Sequence, residues 1–154
     1  MNNGFVHWLR RGLLILLLFI GPSLQADIVY PARLQLTETS PGVYEVFFVL
    51  PVFQGKILRA QAVFPEFCSA YSEPVTEVDS YQKKMRWQIG CGENTLAGQQ
   101  IGIDGLLGSQ VDIILEVNTL DGRIYESKLS PARAYYTIPE APVFKDYVQI
   151  GTFP

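Results

Sequence analysis

The sequence predicts an all-β protein: an antiparallel two-sheet β-sandwich of immunoglobulin-like general shape, with seven or eight strands. Three observations predict it. Apolar residues recur at every second position over most of the chain, the period of a half-buried strand. Most prolines and many glycines fall between these runs, where no ladder hydrogen bond is lost. Beyond the first 26 residues, no segment carries apolar residues at the spacing of an amphipathic helix.

Taken in order, residues 1–26 have the build of an export signal. Arg10 and Arg11 supply the positive start, residues 13–20 are an unbroken apolar run, and Gly21-Pro22 ends any helix before the small residue Ala26. The apolar stretch, residues 12–21, falls short of the ~20 residues that cross a bilayer core. Cleavage after Ala26 is therefore expected, and with it an exported domain, periplasmic or otherwise on the extracytoplasmic face of the membrane. No cysteine adjoins the cut, so no lipid anchor is expected there.

The β domain spans residues 27–139. Tyr30, Ala32, Leu34 and Leu36 point one way and Arg33, Gln35 and Thr37 the other; after Ser40-Pro41-Gly42 the pattern returns in Tyr44, Val46, Phe48 and Leu50. A short Pro-Gly link between alternating runs is the grammar of an antiparallel hairpin. Residues 57–64 alternate Leu58, Ala60, Ala62 and Phe64 against Arg59 and Gln61, and residues 85–89 alternate Met85, Trp87 and Ile89 against Arg86 and Gln88. Residues 67–81 are less regular: a loop or a short edge strand. Val111, Ile113, Leu115 and Val117 face inward, and Leu120-Asp121-Gly122 turns the chain into a returning strand over 123–129, since Asp-Gly between alternating runs favours a hairpin. A last strand covers 134–138, between Pro131 and Pro139. The remainder, residues 140–154, is proline-punctuated, then apolar and aromatic, and has the composition of a linker.

Composition removes several chemistries. His7, the single histidine, lies in the leader, so the mature part has none for a catalytic triad, a general base or an imidazole metal site. The 12 basic residues include Arg10 and Arg11 of the leader, so the remainder is more acidic than the overall charge of −3. A chain this acidic is a poor partner for a phosphate backbone, which demands clustered Lys and Arg, and no nucleic-acid partner is expected. Cys68 and Cys91, the two cysteines, read as one structural disulfide in an exported chain, closing a loop worth roughly 3 kcal/mol. They have no CxxC spacing and no histidine to complete a zinc site.

The motifs of nucleophile elbows, phosphate loops and dinucleotide folds are absent. Carboxylates are the remaining catalytic residue type, and Asp104, Asp112, Glu116 and Asp121 are candidates for a glycosidase-like pair. Their positions, on the polar face of a strand or in a turn, favour solvated charge instead, and the dense spacing of a calcium loop is missing. No catalytic residue, cofactor or metal is expected. Aromatics are the surplus. Adjacent Tyr135 and Tyr136 point to opposite faces of their strand, one inward and one free for ligand stacking. Phe47, Val49, Phe53 and Tyr71 either add apolar surface outside the core or lie under loops.

The stretches 31–38 and 41–51, Phe64-Pro65-Glu66-Phe67-Cys68, Trp87 with Cys91, 105–113, Leu129-Ser130-Pro131 and Ile138-Pro139 together resemble the extracytoplasmic N-terminal domain of the HupE/UreJ-like hydrogenase/urease accessory membrane proteins of bacteria. The ordered set covers nearly all of the mature chain. Two departures stand out: Ala26 is followed by Asp27 where the family often has His, and the family's membrane helices, with their His and Asp residues, have no counterpart here. No transport residue is carried over. The resemblance implies an ectodomain associated with nickel transport or metalloenzyme maturation.

The expectation is therefore a non-catalytic, exported interaction or assembly domain. Its partner would be a membrane protein or a membrane segment missing from this chain, docked by Phe144, Tyr147, Val148 and Ile150 of the tail. The rival is a soluble carbohydrate- or ligand-binding module that uses Tyr135 or Tyr136. Two or more exposed rings on one concave face would favour the rival.

Overall fold

The computed structural model describes residues 31–140; the expected leader and the tail residues Phe144, Tyr147, Val148 and Ile150 lie outside them. The described residues are all-β, with eleven strands and no helix. In chain order these are β1 (Ala32–Ser40), β2 (Val43–Phe53), β3 (Lys56–Ile57), β4 (Gln61–Val63), β5 (Ser69–Ala70), β6 (Val75–Val78), β7 (Gln82–Gly90), β8 (Gln100–Asp104), β9 (Ile113–Asn118), β10 (Ile124–Leu129) and β11 (Tyr135–Thr137).

They form two sheets. The large one runs β10-β9-β1-β2-β7-β5, with β6 also on β7 and β3 on the end of β2; the small one runs β11-β8-β4. The first predicted hairpin holds, with Leu34 opposite Phe48 and Leu36 opposite Val46. Gly42 supplies the positive φ, 72°, that its turn requires. The second holds too, with Leu115 opposite Ser127 and Val117 opposite Tyr125.

Alternation sorts the side chains as read from the sequence. Ala32, Leu34 and Leu36 of β1, Tyr44, Val46, Phe48 and Leu50 of β2, Ile89 of β7, and Ile113, Leu115 and Val117 of β9 are buried. Ile101 and Ile103 of β8 join them in a single core with Leu96, Leu106 and Ile138, so both sheets contribute to it. No charged side chain is buried in the described residues, and the polar group carried into this core, the Tyr44 hydroxyl, is partnered by Glu38.

Three expectations are corrected. The strands number eleven rather than seven or eight, because the run 57–64 breaks into β3 and β4 and the irregular stretch 67–81 supplies β5 and β6. β8 is an added strand: only Ile101 and Ile103 alternate in it, around Gly102, and the glycines beyond its ends give it the look of a loop. Finally, pairing is not wholly antiparallel, since β1 runs parallel to β9, from Ala32 opposite Ile113 to Thr37 opposite Asn118. That contact joins residues about 80 positions apart and is set by closure of the core, which turn chemistry cannot announce.

The disulfide is present. Cys68 and Cys91 are bonded, 23 positions apart in sequence, with Cα atoms 4.0 Å apart. Cys91 follows β7 and is fully buried; Cys68 follows the stretch that carries the chain from β4 in the small sheet to β5 in the large one. Phe64 of that stretch meets Trp87 of β7 edge-on, with ring centroids 6.3 Å apart.

Candidate functional site

Three places in the described residues present chemistry or surface. The first is an open cleft of about 290 Å³ at one end of the domain, between the β1–β2 turn, the 92–96 loop and the β9–β10 turn. Leu96, Val117, Tyr44 and Ile138 give it apolar lining, and Glu38, Glu93, Asp121 and Arg123 are its charged groups. Most of that charge is spent on holding the loops. Glu38 accepts the amide N–H of Gly42 at 3.1 Å on one carboxylate oxygen and that of Leu120 at 3.0 Å on the other, so one side chain ties two turns together. The Tyr44 hydroxyl also bonds Glu38, and burial first, then that carboxylate, pushes its pKa up to about 12. Asp121 accepts the Thr119 hydroxyl at 2.5 Å and the Arg123 Nε–H at 2.7 Å. The Arg123 guanidinium holds Asp121 well below the ordinary carboxylate range.

The other catalytic candidates are dispersed. Asp112 pairs with Lys128 at 2.9 Å. Glu116, on the outer face of β9, accepts from Gln35 at 3.1 Å and Asn118 at 2.7 Å. Asp104 ends β8 in the small sheet and accepts the Tyr135 hydroxyl at 2.5 Å. No group of three or more His, Cys, Asp or Glu among the described residues is placed to hold a metal ion.

The second place is the free edge of the large sheet. β5 and β6 both pair with β7, and their other side pairs with no strand among the described residues. Along this edge stand Tyr71, Val75, Val78 and Tyr81, with Phe53 at the end of β2, each between 59% and 73% exposed. The backbone brings the last of them together, since the Val52 N–H donates to the Tyr81 carbonyl at 2.7 Å. The surplus apolar residues thus divide. Phe53 and Tyr71 are exposed on this edge, Val49 is buried, and Phe47 is half-buried under the Arg86 guanidinium, 4.4 Å from its ring centroid. Sequence reasoning left Val75, Val78 and Tyr81 out. Their signal was a short β-rich run, Val-Thr-Glu-Val, apolar at both ends and so unable to bury both valines on one face.

The third place is the small sheet. Tyr136 packs against the core and Tyr135 is 42% exposed, the division expected of neighbours in a strand. Tyr135 sits directly across from Gly102. Its ring covers that glycine, and a Cβ on residue 102 would lie 2.1 Å from the ring carbon Cδ1. Hydrogen bonding to Asp104 raises the Tyr135 pKa above the usual phenol value.

No protein-family model, no curated protein and no solved structure matches the chain.

Proposed function

We propose that this chain is an exported, non-catalytic interaction and assembly domain whose free β6 edge receives an extended segment of a membrane protein. The observation that carries the reading is the run of exposed apolar side chains beside an unpaired strand. An edge of this kind is normally shortened, charged or covered, and left open it is a template for strand addition. β6 carries one charge, Glu77, between Val75 and Val78. The Cys68–Cys91 bond supports an oxidising, extracytoplasmic setting. The two sheets around one core support the immunoglobulin-like sandwich. The resemblance to HupE/UreJ-like ectodomains supports a partner in the membrane, in a system for nickel transport or metalloenzyme maturation.

Site-specific photocrosslinking in cells that produce the full chain tests this reading. A crosslinker at position 75 or 77 is expected to capture an integral membrane protein, and one at position 126 on the opposite edge strand is not. Substituting Val75→Lys with Val78→Lys is expected to abolish capture without lowering Tm. Equal capture from both edges, or capture that survives the two lysines, would overturn the proposal.

A further inference from the structure

The outer face of the small sheet carries a feature that partner docking does not use. β8 is the middle strand, with β11 and β4 on either side. Ile101 and Ile103 point into the core, so Gly102 and Asp104 lie on the outer face. One cross-strand row holds Tyr135, Gly102 and Val63; the next holds Asp104 opposite Gln61. Because Gly102 has no side chain, the Tyr135 ring reclines across β8 instead of standing away from the sheet. Its hydroxyl reaches Asp104 at 2.5 Å, which fixes the ring at its far end. Tyr135 keeps 42% of its surface exposed, and Asp104 and Gln61, which face each other across β8 and β4, are both exposed.

We propose that this surface is a subsite for one pyranose residue, stacked on Tyr135 and hydrogen-bonded by Asp104 and Gln61. A pyranose presents an apolar C–H face of about the area of one aromatic ring, with hydroxyls around its rim. Each hydroxyl both donates and accepts, matching a carboxylate that accepts and an amide that does both. A quaternary ammonium is better served by a cage of several rings, and a phosphate would be repelled by Asp104. The ring is already ordered by Gly102 and Asp104, so binding loses little side-chain freedom there. One exposed ring on this face, short of the two that a carbohydrate-binding module would present, limits the subsite to a single sugar residue.

The test is an amide-resolved NMR titration of the full chain with methyl pyranosides of gluco, galacto, manno and N-acetylgluco configuration. A single stacked ring supports affinities near the millimolar range, so the titrations run to about 50 mM. At least one glycoside is expected to shift the Gly102 backbone and Gln61 side-chain signals, and saturation transfer from the tyrosine ring is expected to mark its C–H face. Asp104→Ala and Gln61→Ala, both at exposed positions, are each expected to weaken binding by about fivefold with the rest of the spectrum unchanged. Tyr135→Phe keeps the ring over Gly102 and is expected to retain binding, whereas Tyr135→Leu is expected to weaken it by about tenfold. Silence of the Gly102 and Gln61 signals with all four glycosides overturns the proposal. So do equal shifts from tetramethylammonium, or affinity unchanged by Asp104→Ala and Gln61→Ala.

Discussion

Tyr135 and Gly102 are direct partners across the β8–β11 pair, and the tyrosine ring occupies the space that a side chain at 102 would need. A glycine inside a strand is weak because it leaves backbone uncovered and has nothing to pack. Here the neighbouring ring supplies the cover, an arrangement known to restore strand stability at such glycines.

The relationship makes a non-additive prediction. Gly102→Ala must displace the ring and is expected to destabilise the fold by about 1–3 kcal/mol, the range of an overpacked site. In a Tyr135→Ala background the same substitution meets no ring, and its cost is expected to vanish. Urea unfolding of the four proteins of this cycle measures the difference. Equal costs in both backgrounds would show that the ring does not restrain position 102.

The disulfide offers a second prediction. It closes a loop that begins in the connection between the sheets and ends at the fully buried Cys91. Chain entropy for a loop of this length corresponds to about 3 kcal/mol. Reduction, or Cys68→Ser with Cys91→Ser, is expected to lower the unfolding free energy by about that amount. The edge strands β5 and β6 lie within the loop and are expected to lose amide protection before β1, β2 and β9 do.

How far the sequence announces this fold follows from which contacts are local. The β1–β2 and β9–β10 hairpins are legible because Pro41-Gly42 and Asp121-Gly122 join alternating runs most of whose inward residues the structure buries, with Val111 half-buried ahead of β9 and Tyr30 outside the described residues. The Cys68–Cys91 pair is legible because two cysteines allow only one pairing within the chain. The parallel β1–β9 contact is not, because no residue near either strand encodes a partner so distant in sequence. β8 hides because it is short, with only Ile101 and Ile103 to mark its inward face and a glycine between them, and the reason for that glycine, the ring of Tyr135, lies on another strand. The exposed ring was legible as one of an adjacent pair; its hydrogen bond to Asp104 was not. The apolar β6 edge escaped notice because exposure of Val75 and Val78 depends on which strand ends the sheet.

A core substitution tests the shared interior. Leu115 of β9 is fully buried, one strand from Leu34 at the parallel junction. Leu115→Ala removes apolar volume in a strand that is itself fixed by ladders on both sides, so little collapse into the gap is expected. A loss of about 2–5 kcal/mol is the expected outcome in urea unfolding. A loss below about 1 kcal/mol would mean that the core closes over the gap.

Alkaline unfolding should report on Tyr44. Its hydroxyl is held by burial and by Glu38 so that it ionises near 12 in the folded protein, against an ordinary value of 10.0. A phenol whose folded pKa is raised contributes stability that is complete below pH 10.0 and is lost as pH climbs towards about 12, because the unfolded chain releases its proton first. A shift of this size bounds the effect at about 3 kcal/mol. Tyr44→Phe is expected to flatten the decline over that window. It should also lower stability at neutral pH by about 1 kcal/mol, as Glu38 loses a donor. Tyr135, raised in the same direction by Asp104, is the necessary control. If Tyr135→Phe flattens the alkaline limb and Tyr44→Phe leaves it unchanged, the buried phenol at the cleft is not the group that titrates.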